Sequence, residues 1–373
     1  MAVPGPKYTS PRFFGHSNLV SMTPETEVNK SVFVDVGGNG DCGFRAVAAG
    51  LIDSFLVHPR GNGQWLTKVL ANHFSYFPEQ RTKLPGLVTA AERMQHLINH
   101  RHLSMRELLQ TMAYTLRQMA VTELCTHPAL YRGAFVDRNE KTTPNDMREP
   151  TTWIDESSIA ALAKALAMSI EVRVIERGKT LPMRLMYNHQ GEGHPSLVMQ
   201  LQDHHYKPRV TLSERFSAVS SPVVRDVCPV TNALPNDPSL SDIHAAIAAE
   251  DMRLVTEFKE TYHRLAIMVA AGELNKNDLL AMYATNMANS DYLCGRVAHV
   301  GVEHGNQQFF DAILRTQRGI HQAVLPAGEH HQDIVNELIH AIARAITIGQ
   351  MNADDVFARI DETKEAGSHS VVG

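Results

Sequence analysis

The segment at residues 38–46, Gly-Asn-Gly-Asp-Cys-Gly-Phe-Arg-Ala, constrains the fold more than any other part of the chain. Large apolar residues alternate with other residues over 31–36, as in a short strand, and glycines then interrupt regular structure. Apolar residues recur afterwards at the spacing of one helical face: Phe44, Val47, Ala48 and Leu51. The sequence therefore predicts a strand, a glycine-rich turn and a helix that begins at or next to Cys42.

A cysteine at this place has the features of an activated thiol. Unpaired backbone N–H groups and the positive end of the helix dipole stabilise an anion at a helix N-terminus, so we expect the Cys42 thiolate to be well populated near neutral pH. The same N–H groups could bind the oxyanion of a tetrahedral intermediate. The alternative interpretation is a buried structural cysteine in a tight turn.

A histidine that could act as the partner base follows a second strand pattern. Leu197, Met199 and Leu201 alternate with other residues, which is typical of a strand with one buried face. If the strand continues, His205 shares the face of Leu197 and His204 points the other way, so His205 is the first candidate. Its imidazole would take the thiol proton and later protonate a leaving amine.

The segment at residues 38–46 closely resembles the Asp-Gly-Asn-Cys-x-Phe-Arg signature of ovarian-tumour (OTU) cysteine proteases, with its acidic and amide side chains exchanged. Three later stretches resemble family elements in the family's order: residues 115–135, residues 152–166, and residues 198–210 with a His-Tyr pair. The resemblance implies an α+β fold with a papain-type core, in which a small β-sheet lies between helices. It also makes Cys42 the nucleophile.

The third catalytic residue is where this sequence departs from the family pattern. The family usually carries Asp or Asn two residues after the catalytic histidine, and this chain has Lys207 there. A lysine cannot accept the N–H of the His205 imidazole. Some OTU enzymes take the acid from upstream of the cysteine, so we predict Asp35 as the orienting acid, with Asp203 or Asp41 as substitutes.

The resemblance also implies how a substrate is held. Backbone N–H groups of the glycine-rich turn would form the oxyanion hole: Asn39, Gly40 and Asp41. The side chains expected to line a narrow substrate channel are Trp153, Tyr206 and His204. A polar variable loop at residues 136–151 would border this channel. In bacterial effector members of the family a helical insertion helps hold ubiquitin, and we expect residues 53–104 to do so here, unless they are only structural.

Composition shifts divide the chain further. Residues 1–28 are predicted to be flexible, and the catalytic domain is predicted at 29–212. Prolines mark a linker at 213–238, a helical pattern follows over 239–360, and residues 361–373 form a polar tail. The helical region carries no catalytic pattern, so its sequence allows three roles: targeting, binding of an unknown protein or membrane partner, or support of the first domain.

The composition excludes several classes of protein. Four cysteines without CxxC spacing argue for a reducing, cytosolic compartment and against structural zinc, and we expect no metal or cofactor. We expect no cleavable signal peptide and no transmembrane segment, because no apolar run is long enough. A net charge of -5 gives no electrostatic reason to expect nucleic acid as a partner.

Together these features predict a deubiquitinase, a thiol isopeptidase that cleaves ubiquitin or polyubiquitin after the C-terminal diglycine. The alternatives are a catalytically weak OTU-like module that holds ubiquitin, because Lys207 has displaced the acid, and a protease for a ubiquitin-like modifier. The upstream acid, the helical insertion and the appended helical region resemble bacterial effectors. We therefore expect an effector that reaches the host cell by a non-classical route and acts on host ubiquitin.

Overall fold

The structure is a computed structural model. It describes residues 31–38, 40–58, 64–81, 89–100, 103–135, 143–150, 152, 157–175, 183–188, 196–216, 236–287, 331–347 and 351–354. Among these residues, no helix has both the length and the apolar character that a bilayer crossing requires.

A five-stranded mixed sheet forms the centre of the first part of the chain. Its strands are β1 (Val32–Phe33), β2 (Ser169–Ile175), β3 (Met183–Tyr187), β4 (Ser196–Gln202) and β5 (His205–Val210). They lie in the order β1-β5-β4-β2-β3, with β2 and β4 parallel and the other neighbours antiparallel. The apolar residues that alternate along β2 and β4 are buried: Ile170, Val172, Leu197 and Met199. Helices pack on this sheet, so the predicted α+β fold class is confirmed.

The helices of this part are α1 (Cys42–Val57), α2 (Gln64–Tyr76), α3 (Ala90–Ile98), α4 (Met105–Thr126), α5 (Pro144–Arg148) and α6 (Ser157–Leu166). Short 3₁₀ segments occur at Pro78–Gln80, Pro128–Phe135 and Ser213–Arg215. Three more helices follow: α7 (Leu240–Ala270), α8 (Lys276–Met287) and α9 (His331–Thr347).

Helix α1 is buried on nearly every side, whereas the sequence predicted one buried face. Ala46, Ala49, Ile52 and Phe55 are as inaccessible as the predicted apolar positions, because α1 packs against β5, β4 and α4. A Cβ placed on Gly50 would lie 3.2 Å from Leu197 Cδ2, so this glycine permits the close approach to the sheet.

The predicted start of the helical insertion, at residue 53, is not where α1 ends. Asp53 still lies in α1, where its carboxylate accepts hydrogen bonds from the backbone N–H groups of Thr211 (2.9 Å) and Leu212 (2.8 Å) after β5. The helices α2 and α3 follow, and a Thr89/Glu92 capping box begins α3. The segment between α1 and α4 therefore begins at His58.

The prediction that one strand continues through His205 is wrong, because β4 ends at Gln202 and a tight turn follows. Asp203 and His204 both have left-handed φ angles, 49° and 63°. Two consecutive left-handed residues match the twist of the flanking strands in a two-residue hairpin. His205 therefore begins a new strand, β5, opposite Gln202.

The described residues form two compact units, and the boundary lies within α7, between His244 and Ala245. The first unit thus extends past residue 239, where the helical region was predicted to begin. The second unit has its own apolar core from α7, α8 and α9, including Leu265, Leu279, Leu338 and Ile342.

A buried histidine between α2 and α4 makes the stability of the fold depend on pH. His73 is fully buried, and its ring nitrogens hydrogen-bond Thr115 Oγ1 (3.0 Å) and Gln80 Oε1 (2.9 Å). Burial lowers the pKa of His73 from 6.5 to about 4 despite the hydrogen bond to Gln80. The unfolded chain therefore binds a proton at a pH where the folded chain does not, and stability falls as the pH drops.

We expect the free energy of unfolding to decrease by about 1.4 kcal/mol per pH unit from this residue as the pH falls from 6.5 to about 4. Denaturant unfolding of the parent and of His73→Gln at several pH values measures this contribution as the difference in slope. The exposed His96→Gln variant is the control and should keep the parent profile. Equal slopes for His73→Gln and the parent would contradict the prediction.

Candidate active site

The glycine-rich turn places Cys42 at the first position of α1. Gly37, Gly38 and Gly40 have left-handed φ angles of 69°, 116° and 76°, which only glycine adopts readily. A Cβ on Gly38 would lie 2.9 Å from the backbone nitrogen of Cys42. The turn therefore needs glycine for both its conformation and its closeness to the cysteine, and the predicted position of Cys42 at the start of a helix agrees with the structure.

His205 and Asp35 lie together although 170 positions separate them in the sequence. Strand β1 pairs with β5, and beyond it the backbone N–H of Val34 donates to Pro208 O (3.1 Å). Asp35, just past this pairing, reaches the start of β5, where His205 Nε2 lies 2.9 Å from Asp35 Oδ1. Since a carboxylate only accepts, Nε2 carries the proton and Nδ1 is left as the base.

The thiol of Cys42 lies beside the backbone that carries His205. Cys42 Sγ is 4.0 Å from the carbonyl oxygen of His204, and the backbone N–H of Tyr206 hydrogen-bonds the sulfur. A Cβ on Gly43 would lie 3.4 Å from Tyr206 Cδ2, so β5 packs directly on the first turn of α1. The residues on both sides of His205 therefore contact the cysteine.

The predicted thiolate at Cys42 is not favoured in this structure. The Cys42 side chain is only 2% exposed, and this burial raises the pKa of the thiol above its ordinary value. The backbone N–H groups of Tyr206 and Gly43 act in the opposite direction but do not outweigh burial, and the charge of Asp41 raises the pKa further. A neutral thiol needs a base to remove its proton, which makes the imidazole of His205 the activating group.

The carboxylate of Asp35 stays ionised beside that imidazole. Partial burial opposes its ionisation, but hydrogen bonds from Gly37 N–H (2.8 Å) and His205 lower the pKa of Asp35 below its ordinary value. The charge of Lys207 acts in the same direction. The lysine that replaces the usual acid of the family thus stabilises the anion of the residue that contacts the histidine.

An arginine that the sequence reasoning did not single out holds the glycine-rich turn. Arg117 of α4 is fully buried and forms an ion pair with Asp41, with its Nε 2.9 Å from Asp41 Oδ1. It also donates to the carbonyl oxygens of Gly40 (3.0 Å), Met147 (2.8 Å) and Thr152 (2.9 Å). The guanidinium opposes the effect of the Asp41 charge on the Cys42 thiol but does not cancel it, since Asp41 still raises the pKa of Cys42. The available signal was a lone arginine within the apolar stretch of α4.

The other predicted residues have varied positions. His204, the second candidate for the base, is exposed in the hairpin turn. Of the substitute acids, Asp41 is paired with Arg117, and Asp203 is exposed in the same turn. Tyr206 is partly buried against the core. Asn39 of the predicted oxyanion hole and Trp153 of the predicted channel lie outside the described residues, as do residues 136–142 of the variable loop.

The range that contains Cys42, Arg117 and His205 matches one family model, and Asp35 lies just before this range. Residues 37–209 match the family described as OTU-like cysteine protease. Residues 37–209 are an OTU-like cysteine protease domain. The resemblance found in the sequence is thereby confirmed, and the chain is a cysteine protease by family. No curated protein matches the chain at a significant level.

Several solved structures are similar to the OTU domain. The OTUD1 OTU domain is 11% identical, with a TM-score of 0.29, and the match covers 48% of this chain and 84% of that chain. A complex of h/ceOTUB1 with ubiquitin aldehyde and UBC13~Ub is 14% identical, with a TM-score of 0.34 and coverage of 46% and 73%. A ceOTUB1 complex with ubiquitin aldehyde and UBC13~Ub is 15% identical, with a TM-score of 0.32 and coverage of 46% and 76%.

Proposed function

We propose that the OTU domain is a deubiquitinase, a thiol isopeptidase that hydrolyses ubiquitin linkages after the C-terminal diglycine. The observation that carries the proposal is the 2.9 Å contact between His205 and Asp35 beside the Cys42 turn. This pair supports a working base in a domain whose usual acid position is Lys207. Ubiquitin as the substrate is inferred from the resemblance to OTU deubiquitinases.

The proposed reaction uses the groups of this site in order. His205 Nδ1 takes the proton of the Cys42 thiol, and Sγ attacks the carbonyl carbon of the terminal glycine of ubiquitin. Backbone N–H groups at the start of α1 stabilise the oxyanion. The imidazolium returns its proton to the leaving lysine amine, which leaves a thioester on Cys42. A water molecule that loses its proton to His205 then hydrolyses the thioester and restores the thiol.

The diglycine preference is proposed from the closeness of the elements around the thiol. Ile159 Cδ1 and Tyr206 Cδ2 lie 3.2 Å and 3.4 Å from where a Cβ on Gly43 would lie, so both side chains pack closely on the residue that follows Cys42. A substrate backbone without side chains fits beside such walls more easily than a bulky one.

The first test is cleavage of a panel that covers every diubiquitin linkage by the intact chain, with Cys42→Ala alongside. We expect turnover of one or a few linkages by the parent and none by the variant, because the proposed reaction requires the Cys42 thiol as its nucleophile. Turnover that persists in Cys42→Ala would contradict the proposal.

The raised pKa of the Cys42 thiol favours one alternative, an OTU-like module that binds ubiquitin with little turnover. A ubiquitin-derived electrophile separates the two functions, since covalent trapping at Cys42 requires a competent nucleophile. Ubiquitin binding without trapping or cleavage would support the holding module. If the protein cleaves a fusion of a ubiquitin-like modifier and leaves every diubiquitin intact, its substrate is that modifier and not ubiquitin.

The chain is further proposed to act in a reducing cytosol, as a bacterial effector that reaches the host by a non-classical route. The acid upstream of the cysteine and the helices α2 and α3 between α1 and α4 support this, as in the effector members that the sequence resembles. The helical region of α7, α8 and α9 would bind a host protein or membrane. A translocation reporter fused to the full chain tests the route, and absence of the reporter from host cells would contradict it.

A further inference from the structure

A residue beyond the range that matches the OTU family forms a buried ion pair within the first unit. Asp237 lies before α7, and both its carboxylate oxygens contact Arg148 of α5, at 2.5 Å from Nε and 2.7 Å from Nη2. The side chains are 4% and 1% exposed. A paired, two-pronged contact of this kind fixes direction as well as distance.

The rest of the Arg148 guanidinium is bonded to α4. Its Nη1 donates to the backbone oxygen (3.0 Å) and the side-chain oxygen (3.1 Å) of Gln118, and its Nη2 donates to Thr122 Oγ1 (3.2 Å). In return, Gln118 Nε2 donates to the carbonyl oxygen of Arg148 (2.9 Å). The arginine therefore joins three elements: the segment before α7, helix α5 and helix α4.

Helix α5 has a second connection, which leads to the catalytic cysteine. Met147, the neighbour of Arg148, accepts a hydrogen bond from Arg117 Nη1 (2.8 Å) through its carbonyl oxygen. Arg117, the neighbour of Gln118, holds Asp41 and Gly40 of the turn before Cys42. Two adjacent residues of α5 thus face two adjacent residues of α4, one pair next to the active site and the other next to Asp237.

Helix α5 spans only Pro144–Arg148 and cannot be stable by itself, since helices this short do not hold their shape in water. Its position depends on the contacts of Arg148, which saturate the guanidinium donors only when Asp237 is present. The carbonyl oxygen of Met147 then lies where Arg117 needs an acceptor.

We propose that Asp237 is a positioning residue for the protease site: through Arg148 and α5 it fixes Arg117, and through Arg117 the turn that carries Cys42. The activity of the OTU domain then depends on a segment that follows the family range. This inference rests on the cysteine protease site and not on ubiquitin as the substrate.

The test uses the full chain with Asp237→Asn, which keeps the shape and one acceptor but removes the charge. Asp242→Asn is the matched control, because Asp242 lies nearby in the first turn of α7 and its carboxylate accepts hydrogen bonds from the N–H and hydroxyl of Ser239. With diubiquitin as the substrate, we expect kcat of Asp237→Asn to fall by about tenfold and KM to stay nearly unchanged, because a small displacement of the reacting groups lowers the rate of the chemical step. The control should keep both constants, and Asp237→Glu, which retains the charge, should recover most of kcat.

Hydrogen exchange supplies a measurement that needs no substrate. The backbone amides of Asp41 and Cys42 should exchange faster in Asp237→Asn and at the parent rate in Asp242→Asn. This exchange result does not depend on the substrate. If the protein does not cleave diubiquitin, the proposed function is wrong but the positioning role of Asp237 can still be tested. If Asp237→Asn does not fold, Arg148→Lys replaces it: this variant keeps a positive charge but loses the two-pronged contact with Asp237, so Asp41 and Cys42 should again exchange faster than in the parent.

A double-mutant cycle with Asp41→Asn tests the route of the effect. If Asp237 acts through Arg117, its replacement should lower kcat much less in the Asp41→Asn background than in the parent, because the final contact is already weakened. If the fold losses in kcat of Asp237→Asn and Asp41→Asn instead multiply in the double variant, the two residues act independently and the proposal is overturned. A lower unfolding temperature of Asp237→Asn with parent values of kcat and of exchange at Asp41 and Cys42 also overturns it, because this result would indicate a merely structural ion pair.

Discussion

Replacement of Asp35 by alanine is expected to lower kcat by roughly 10²- to 10³-fold while the fold stays intact. The carboxylate accepts the Nε2 proton of His205 and thereby leaves Nδ1 free to take the thiol proton. Alanine has no acceptor, so neither the tautomer nor the ring orientation of His205 is fixed, and losses of up to about 10⁴ follow loss of the orienting carboxylate in other proteases. The expected loss is smaller here because the Asp35 side chain is 53% exposed and water can replace part of its contact.

Steady-state kinetics and trapping by a ubiquitin-derived electrophile measure this effect. The matched control is Asp203→Asn, because Asp203 is the other predicted acid near the histidine and asparagine tolerates its left-handed φ of 49°. Near-parent activity of Asp35→Ala would remove Asp35 from the site. A large loss of kcat in Asp203→Asn instead would indicate that Asp203, in the hairpin turn, orients His205.

Replacement of Arg117 by methionine is expected to destabilise the fold by about 3–5 kcal/mol, because removal of one partner leaves the other charge of a buried ion pair uncompensated. The Asp41 side chain, 15% exposed, loses the guanidinium that pairs with it, and the carbonyl oxygens of Gly40, Met147 and Thr152 lose a donor. The cation also lies 4.8 Å from the centre of the Phe44 ring, a favourable arrangement that methionine does not reproduce.

The variant that remains folded should also lose activity. An unbalanced carboxylate at Asp41 raises the pKa of the Cys42 thiol further in the direction that the structure already gives. Denaturant unfolding measures the stability, and thiol alkylation at several pH values measures the pKa. The combination with Asp41→Asn should recover part of the stability, since it removes the uncompensated charge.

Arg253→Met is the control for this substitution. Arg253 on α7 also pairs with carboxylates, Glu250 and Glu257, at 2.7 Å each, but its side chain is 57% exposed. Exposed ion pairs contribute about 0–1 kcal/mol, so this variant should stay within about 1 kcal/mol of the parent. If Arg117→Met also changed the free energy of unfolding by less than about 1 kcal/mol, burial would not make the Arg117–Asp41 pair more important than an exposed pair.

The sequence by itself determined the local parts of the site. Glycines that adopt left-handed φ angles and an apolar helical spacing place Cys42 at a helix start, because both signals act within a few residues. The alternation along β2 and β4 likewise identified the buried faces of the sheet. The same local pattern was misleading at residues 203–204, because a two-residue hairpin turn ends the strand there. The alternation along β4 therefore does not determine which face of the sheet His205 occupies.

Only the tertiary structure decided which groups meet. Asp35 reaches His205 because β1 pairs with β5 at the edge of the sheet, a contact over 170 positions that no local pattern encodes. The pKa of the thiol also depends on tertiary packing: the helix N-terminus predicted a thiolate, but burial beneath β5 raises the pKa of Cys42. Arg117 and Arg148 are buried only because their partners converge from distant segments, and burial of a charge is favourable only where such partners meet it.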